Sequence, residues 1–214
     1  MKPSKRLQKI AEMVKYPTMI DVGTDHGHLP IHMVQNGLAS KVLATDVNFA
    51  PLERAKHNVA EAGLSSFVDT FLCDGLDGIS STEYEACVIS GMGGGLIIDI
   101  LRQNLLCAQG FKQLVLSPQR DVADVRLFLH QNGFCIDDEE MLEDKGKFYN
   151  ILDASIGNEA LYDEKGYIFG EILLRKKPDA LKKFIEMEIA KISKINRSEL
   201  ERYLQLCEEV LKCL

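Results

Sequence analysis

Apolar runs of strand length alternate with amphipathic stretches over the first 130 residues of the chain. The apolar runs lie at residues 19–23, 41–46, 67–73, 86–91 and 113–117. Apolar side chains recur at helical spacing between most of these runs, at residues 30–36, 51–62, 96–106 and 122–131. Strands and helices in this order form a parallel sheet with helices on both faces. The pattern therefore predicts an α/β fold.

The flanking segments extend this fold at both ends. Ser4 can cap a helix over residues 5–15, in which apolar residues recur at helical spacing until Pro17 ends the helix. After Gly133, residues 134–142 and 148–156 predict two strands joined by a charged turn around residues 144–147. We therefore expect a mostly parallel sheet that finishes in an antiparallel strand pair.

The last 36 residues carry a different pattern. Asp179 can cap a helix directly after the break at Pro178. Two series of residues then step by four and three positions: Leu181, Ile185, Glu188, Ile192 and Ile195, followed by Leu200, Leu204, Cys207, Leu211 and Leu214. With a turn at residues 196–198, they predict an antiparallel helical hairpin of the coiled-coil type. We therefore divide the chain into an α/β domain over residues 1–170, which includes the N-terminal helix, and a C-terminal hairpin over residues 171–214.

Composition narrows the class of protein. The 214 residues suffice for one α/β domain with an appendage, but not for two complete domains. No stretch approaches the ~20 uncharged apolar residues of a membrane span, and the N-terminus lacks the apolar run of a signal peptide. The six cysteines are scattered without a C-x-x-C pair, and no three ligands have zinc-like spacing. We expect a cytoplasmic protein, a monomer or weak dimer, with reduced thiols, no metal and no membrane association.

Charge is distributed unevenly along the chain. The net charge is −7, which by itself argues against a nucleic-acid partner. However, residues 1–20 carry +4 and residues 171–214 carry +2, whereas residues 21–170 carry −13. Basic ends on an acidic chain are compatible with polyanion contact at the ends. Charge alone supports equally well the alternative that these termini are merely solvated.

A glycine-containing segment follows the first strand, where a parallel sheet binds ligands next to a helix N-terminus. Its spacing, from Gly23 through Asp25 to Gly27, differs from the G-x-G-x-x-G that holds a pyrophosphate. The carboxylate of Asp25 would repel phosphate and attract a cationic amine, and S-adenosylmethionine carries both an amine and a sulfonium. The alternative is a glycine turn with a surface aspartate. We predict S-adenosylmethionine as the cofactor, bound by Asp21, Gly23, Thr24, Asp25 and Gly27.

Acidic residues end the next two strands. Asp46 lies about 20 residues beyond the glycine turn, where a carboxylate can accept hydrogen bonds from both ribose hydroxyls. Asp74, followed by Gly75, can meet the adenine amino group. Both positions have ordinary structural alternatives, because aspartate often ends strands and Asp-Gly often forms turns. We predict Asp46, Asp74 and Gly75 as cofactor-binding residues.

Four glycines occur in the six positions from 90 to 95, a composition that is poor for strand or helix. It favours a loop whose exposed backbone lets the methyl donor and the acceptor come close to each other. The alternative is a flexible glycine loop that binds no ligand. We predict that Gly91 and Met92 contact the donor and that Gly93 contacts the acceptor.

Further polar side chains border these loops. Gln119 and Arg120 follow the strand at residues 113–117 and supply an amide and a guanidinium to the same rim. Gln119 can read a base edge, although ordinary loop polarity explains it equally well. His26 and His28 lie in the glycine turn, close enough in sequence to contact the ligands.

The segments at residues 21–30 and 90–96 together resemble the bacterial tRNA adenine-22 N1-methyltransferase family, which has a Rossmann-like class I methyltransferase fold. The family signature is D-[IV]-G-[ST]-D-H, then L-P two residues later, then G-M-G-G and L-x-P-[NQ]. It is matched at residues 21–26, 29–30, 91–94 and 116–119. The resemblance runs from Lys5 to Tyr149, and the hairpin resembles the family's C-terminal coiled coil. His28 departs from the tyrosine more usual at its position, and the hairpin is short.

The resemblance implies methylation of N1 of adenine 22 in tRNA. N1 of neutral adenine has a free lone pair, so an in-line methyl transfer can depend on positioning alone. A carboxylate would stabilise the positive charge that develops on the base, for which Asp25 is the first catalytic candidate and His26 the second. His28 would contact the substrate.

The basic residues at the two ends would hold the tRNA backbone around the pocket: Lys5 and Arg6 on the first helix, and Arg175, Lys176 and Lys177 before the hairpin. Two alternatives stay open at this point. One is a class I methyltransferase that acts on a small molecule, and the other is a donor-sensing module without enzymatic activity.

Overall fold

A computed structural model describes residues 3–194 and 200–214 of the chain. Seven strands form a single sheet: β1 (Thr18–Val22), β2 (Lys41–Asp46), β3 (Val68–Leu72), β4 (Ala86–Ser90), β5 (Gln113–Ser117), β6 (Phe134–Asp144) and β7 (Lys147–Ile156). Their order across the sheet is β3-β2-β1-β4-β5-β7-β6. The first five pair in parallel, and β7 runs antiparallel to both of its neighbours. The predicted Rossmann-like sheet with an antiparallel strand near its end is confirmed.

Helices cover both faces of this sheet. They are α1 (Lys5–Met13), α2 (His28–Gln35), α3 (Phe49–Glu61), α4 (Gly94–Gln103), α5 (Leu105–Gly110), α6 (Val122–Gln131), α7 (Glu171–Lys176), α8 (Asp179–Ile192) and α9 (Glu201–Leu211). A π-helical turn over Gly166–Gly170 precedes α7. None of the described helices is long and apolar enough to cross a membrane.

Three apolar cores hold the helices to the sheet, and the third joins the C-terminal helices to β6. On one face, Ile10 of α1 and Met33 of α2 are fully buried with Val42 and Val88 of the strands. On the other face, α4, α5 and α6 bury apolar residues against alternate side chains of the same strands, such as Ile20 and Ile89. Because both faces are covered, the central strands β1, β4 and β5 are almost completely buried, whereas β3 at the edge of the sheet is mostly exposed.

Local contacts move several predicted helix boundaries. Ser4 caps α1 as predicted, accepting a 3.3 Å hydrogen bond from the Leu7 N–H. The helix ends at Met13 rather than at residue 15, since Lys15 donates its N–H to the side chain of Gln113 instead. The helix predicted over residues 96–106 is divided into α4 and α5 at Asn104, whose side chain bonds to a neighbouring loop.

The C-terminal helices lie beside β6. Arg126 of α6 and Glu139 of β6 form a 2.7 Å ion pair whose side chains are each 1% exposed. Arg126 also donates a 2.8 Å hydrogen bond to the carbonyl of Tyr167 in the π-helical turn. Removing either residue would leave the other as a buried charge without a partner, which is strongly destabilising. The ion pair therefore fastens the start of the C-terminal segment to the sheet.

The predicted helical hairpin is confirmed, with α8 packed against α9, but its apolar seam differs from the prediction. Asp179 is the first residue of α8 and not its cap. In α9 the buried residues are Leu206, Cys207 and Val210, so the seam is rotated from the predicted series. The rotation arises because α9 packs on the π-helical turn as well as on α8, with Tyr203 stacked on a phenylalanine of that turn. Ile195 and the turn predicted at residues 196–198 lie outside the described residues.

Candidate functional site

A cleft of about 300 Å³ opens at the carboxyl ends of β1 and β4. These neighbouring strands form the topological switch point, because the chain turns to β2 and β3 on one side and to β5 on the other. Parallel α/β sheets bind their ligands at such points. The lining residues come from α1, from the loops after β1, β4 and β5, and from the start of α2: Arg6, Leu7, Asp21, Gly23, Asp25, His28, Leu29, Ser90, Gly91, Met92 and Gln119.

The turn after β1 is fixed to the end of β2. The N–H groups of Gly23 and Thr24 both donate 2.8 Å hydrogen bonds to the carbonyl of Thr45. Gly23 and Gly27 have positive φ values of 74° and 68°, which glycine adopts without strain. Thr24 and Gly27 are buried and Gly23 alone of these three lines the cleft. Thr24 and Gly27, which were predicted to bind the cofactor, are therefore buried parts of the turn and do not line the cleft.

Asp21 is a carboxylate buried at the floor of the cleft, 5% exposed. Burial raises its pKa to about 6, because a desolvated carboxylate is disfavoured. The Thr24 hydroxyl and the Arg6 guanidinium oppose this rise, whereas nearby Asp46 adds to it. At neutral pH the cleft therefore holds a negative charge with little solvent around it.

Asp25, His26 and His28 form a group at the mouth of the cleft. Asp25 is 77% exposed and lies 3.2 Å from His26 Nε2, and His26 has a positive φ of 59°. The two imidazoles stack with ring centroids 5.5 Å apart. Burial and the neighbouring His26 lower the pKa of His28, although Asp25 opposes this. These effects favour the neutral imidazole of His28, which is one of the residues that line the cleft.

The loops after β4 and β5 are joined by backbone hydrogen bonds. Gln119 donates its N–H to the Met92 carbonyl at 2.8 Å, and Gly94 donates to the Arg120 carbonyl at 3.0 Å. A Cβ on Gly94 would lie 2.6 Å from the Asp121 carbonyl oxygen, so this approach requires glycine. The juxtaposition of these two loops agrees with the prediction. Met92 Cε packs directly on Gly23, which closes the wall between β1 and β4.

Asp46 and Asp74 lie on the β2 and β3 side of the same edge. Asp46 is part-buried, accepts a 2.7 Å hydrogen bond from the Asn48 N–H, and acts on the pKa of Asp21. Asp74 is exposed, and both carboxylates are close enough to Cys73 to raise the pKa of its thiol, after the larger effect of burial. Gly75 has a positive φ of 56° and packs on α4. None of the three lines the cleft beside Asp21.

The predicted basic residues are dispersed. Arg6 lies inside the cleft, whereas Lys5 is exposed on α1. Lys176 is held by Asp138 at 2.6 Å and Glu140 at 2.9 Å, and Lys177 donates to the carbonyl of Cys213. Arg175 is exposed and has no ion-pair partner within the described ranges. Lys2, another basic residue of the N-terminus, lies outside those ranges.

Sequence reasoning missed two features of β7, one of which contacts a residue of the cleft. The ring of Tyr149 in β7 lies beneath the Arg6 guanidinium, with Arg6 Cζ 5.3 Å from the ring centroid. Asn150, the next residue, has a buried side-chain oxygen without a hydrogen-bond partner. The alternation of β7 puts Tyr149 on the α1 face of the sheet with Ile151. The alternation along β7 could therefore have identified Tyr149 as a neighbour of α1, but only with the position of α1 known. Within the described ranges, no three His, Cys, Asp or Glu residues form a cluster suited to a metal ion.

Comparisons with known proteins agree with this geometry. Residues 3–152 match the family described as a methyltransferase domain. The tRNA (adenine(22)-N(1))-methyltransferase of Bacillus subtilis (strain 168) is 36% identical over 183 residues, which cover 83% of this chain and 77% of that protein.

Solved structures extend the likeness to the whole chain. A Streptococcus pneumoniae protein in complex with S-adenosyl-L-methionine has a TM-score of 0.93 and 32% identity, covering 98% of this chain and 100% of that one. An M. capricolum protein in complex with S-adenosyl-homocysteine has a TM-score of 0.82 and 26% identity, covering 100% and 96%. The chain belongs to the tRNA (adenine(22)-N(1))-methyltransferase family.

Proposed function

We propose that this protein transfers a methyl group from S-adenosylmethionine to N1 of adenine 22 in tRNA. The observation that carries the proposal is the cleft at the β1–β4 switch point, where buried Asp21 faces two glycine loops. Family membership supplies the acceptor, since the Bacillus subtilis relative is a tRNA (adenine(22)-N(1))-methyltransferase. Small-molecule methylation and donor sensing are the two other hypotheses, and the experiment below distinguishes them from this one.

The residues of the cleft fit a donor that carries an amino acid and a nucleoside. Asp21 offers a desolvated negative charge to an ammonium group, which is attracted strongly where water is scarce. Beside the cleft, Asp46 at the end of β2 is the proposed acceptor for the ribose hydroxyls, and Asp74, which follows the neighbouring strand β3, is the proposed contact of the adenine. A cleft of about 300 Å³ is at the lower end of the range for small-molecule sites.

The chemistry requires little of the protein beyond positioning. When bound, S-adenosylmethionine supplies a methyl group activated by a sulfonium. Neutral adenine N1 has no proton to lose, so no residue need act as a base. Gly91 and Gly93, which flank Met92 in the loop after β4, carry no side chain and are partly exposed, which allows an acceptor base to approach the backbone closely. Gln119 and His28 line the same cleft and can hold the edge and the face of that base.

Asp25 is the proposed group that stabilises the positive charge developing on the base. At 77% exposure its effect in the free protein is screened by water. Covering the mouth of the cleft with tRNA would remove that water and strengthen the interaction. His26, 3.2 Å from Asp25, would orient the carboxylate.

Contact with tRNA is proposed for the exposed basic residues Lys5 and Arg175. Residues 1–170 and 171–214 would then have different roles. The first region holds the donor site, and the second adds tRNA contacts through Arg175. The two regions meet, because Lys176 forms ion pairs with Asp138 and Glu140 of β6. Only one base has to enter the cleft, and extruding it costs a few kcal/mol, least in a loop. A cytoplasmic location follows from a tRNA substrate.

The decisive experiment is methyl transfer from labelled donor to unmodified tRNA, followed by identification of the product nucleoside. We expect about one methyl group per tRNA, recovered as 1-methyladenosine. A tRNA with guanine at position 22 is the matched control and should accept none. Transfer to small molecules but not to tRNA would replace the proposal with the first alternative. Donor binding without any transfer would favour the second.

A second measurement tests the role of Asp25. Asp25→Asn should slow single-turnover methylation of tRNA at saturating donor, because the neutral amide stabilises the developing charge less well. A wild-type rate under those conditions would remove Asp25 from the chemistry.

A further inference from the structure

We propose that the turn between β6 and β7 binds the tRNA backbone through Lys145 and Lys147, beside the loops after β4 and β5 that receive the acceptor base. The proposal rests on the proposed function, since it assigns a further contact of the same substrate. Strands β6 and β7 form a two-stranded ribbon, and residues 144–147 are its tip. The sequence predicts this charged turn, but neither the donor site nor the methyl transfer uses it.

The ribbon extends past the sheet at the edge where the cleft opens. β6 and β7 have 11 and 10 residues, about twice the length of the parallel strands. β7 pairs with β5 only through residues 152–154, whereas its pairing with β6 continues to Lys147, opposite Asp144. Because β7 runs antiparallel to β5, its first residues project beyond Ser117, where β5 ends. At about 3.4 Å per residue, Lys147 lies roughly 13 Å beyond that end.

Lys147 lies on the face of the ribbon that is next to the cleft. Alternate residues of a strand share a face, so Lys147 is on the same face as Tyr149 and Ile151. Ile151 shares an apolar core with α1, and the ring of Tyr149 contacts Arg6, which lines the cleft. In the sheet, β7 follows β5, whose loop supplies Gln119 to the cleft. An RNA strand that places a base beside Gln119 would therefore pass the tip of the ribbon.

The positive charges of the tip are accessible to a polyanion. Lys145 and Lys147 are exposed, and neither forms an ion pair with any residue that the structure describes. The nearby carboxylate of Glu143 is bound at 3.4 Å by Lys183 of α8. Residues 144–147 carry a net charge of +1, whereas residues 21–170 as a whole carry −13. The tip is thus a basic point in an acidic region, at the edge that a tRNA must approach.

The backbone of the turn indicates that the Lys145 side chain is present for its charge. Lys145 and Gly146 have positive φ values of 52° and 75°, as the two central residues of a type I′ turn require. Asparagine, aspartate and glycine are preferred at the first of these positions, because other side chains are strained there. A lysine at this position therefore costs stability that the fold does not require. Strain of this kind is typical of residues with a function, and an anion contact supplies one.

Two contacts hold the ribbon against α8 behind the tip. The rings of Phe148 and Phe184 meet edge to face, with centroids 5.6 Å apart. The ion pair of Glu143 and Lys183 lies beside them. Because the ribbon is supported in this way, little conformational entropy is lost when its tip binds RNA. The C-terminal helices would then position the tip, in addition to the contact proposed for Arg175.

The test is the affinity of the protein for unmodified tRNA, measured by fluorescence anisotropy at several salt concentrations. Lys145→Asn should weaken binding about three- to tenfold and reduce the salt slope by roughly 0.7–0.9, the effect of one lost phosphate contact. Because asparagine suits the turn, the same variant should raise the unfolding temperature by about 1–3 °C. Opposite effects on stability and binding exclude misfolding as the cause. Lys147→Gln should weaken tRNA binding similarly, without the gain in stability.

The controls separate the contact from general effects of charge. Lys145→Arg keeps the charge and should bind tRNA like the wild type. Lys112 is exposed directly before β5, at the opposite edge of the sheet, and Lys112→Asn should change the tRNA affinity by less than about twofold. All four variants should bind S-adenosylhomocysteine like the wild type. Saturating tRNA should restore turnover, because a contact with the backbone affects KM and not kcat.

Four outcomes would overturn the assignment. They are unchanged tRNA affinity when Lys145→Asn and Lys147→Gln are combined, an equal loss in Lys145→Arg, an equal loss in Lys112→Asn, and a lower unfolding temperature for Lys145→Asn. A wild-type protein that neither binds nor methylates tRNA would instead refute the proposed function, which is a separate result obtained before any variant is compared.

Discussion

Replacing Asp21 by asparagine should stabilise the free protein while it weakens donor binding. Burial raises the pKa of Asp21 from 3.8 to about 6. Below pH 3.8 the carboxyl is protonated in both the folded and unfolded chains. Between pH 3.8 and 6 mainly the unfolded chain ionises, so folding stability falls as the pH rises, and above pH 6 the loss is complete. At roughly 1.4 kcal/mol per pH unit, ionised Asp21 costs about 3 kcal/mol of stability at pH 7.

Urea unfolding followed by circular dichroism measures this cost. Without donor, Asp21→Asn should exceed the wild type by about 1–3 kcal/mol at pH 7.5, and the difference should shrink steadily towards pH 4. Asp25→Asn is the matched control, because the same substitution in the turn that follows β1 changes a side chain that is 77% exposed and should matter by less than about 0.5 kcal/mol. A less stable Asp21→Asn variant, or a difference that does not depend on pH, would refute the reasoning.

Three further predictions follow from the same geometry. Asp46→Ala should weaken S-adenosylhomocysteine binding by ~1–3 kcal/mol in calorimetry, because ribose hydroxyls would lose their acceptor; no loss would remove Asp46 from the site. Gly94→Ala should lower the free energy of unfolding by about 1–3 kcal/mol, since its Cβ would meet backbone oxygen at 2.6 Å, whereas Gly95→Ala, which meets nothing within 4 Å, should be tolerated. Arg175→Ala should weaken tRNA binding and reduce its salt slope by roughly 0.7–0.9, whereas Lys176→Ala should change it less, as Lys176 is already ion-paired; equal effects would contradict this.

The parts of the fold that follow from local sequence were predictable. The strands and most helices appear within about two residues of the hydrophobic pattern, because both faces of a parallel sheet must be apolar. The glycine turn after β1 and the glycine segment after β4 were recognisable, since positive φ and close backbone approach restrict the residue type. Asp21 was identified as a site residue, although its burial depends on the packing of α1 and the neighbouring strands.

The parts that depend on tertiary packing were not predictable. Arg6 looked like an exposed base on an amphipathic helix, and its position in the cleft depends on how α1 crosses the strands. The rotated seam of α9 results from the π-helical turn, whose length and contacts leave no periodic signal. The buried pair of Arg126 and Glu139 was also missed, because each residue alone is typical of a solvated surface.

The N-terminal helix links the donor side of the site to the tRNA side. Through Ile10 it is anchored in the core, through Arg6 it reaches the cleft, and through Lys9 it lies within electrostatic range of Lys176 near the hairpin. The three residues lie within little more than one turn of α1, which advances about 5.4 Å, so a shift of the helix moves all three together. Substitutions that tilt α1 should therefore alter both binding steps together. Substitutions that truncate one side chain and leave the helix intact, such as Arg6→Ala, should affect the two binding steps separately.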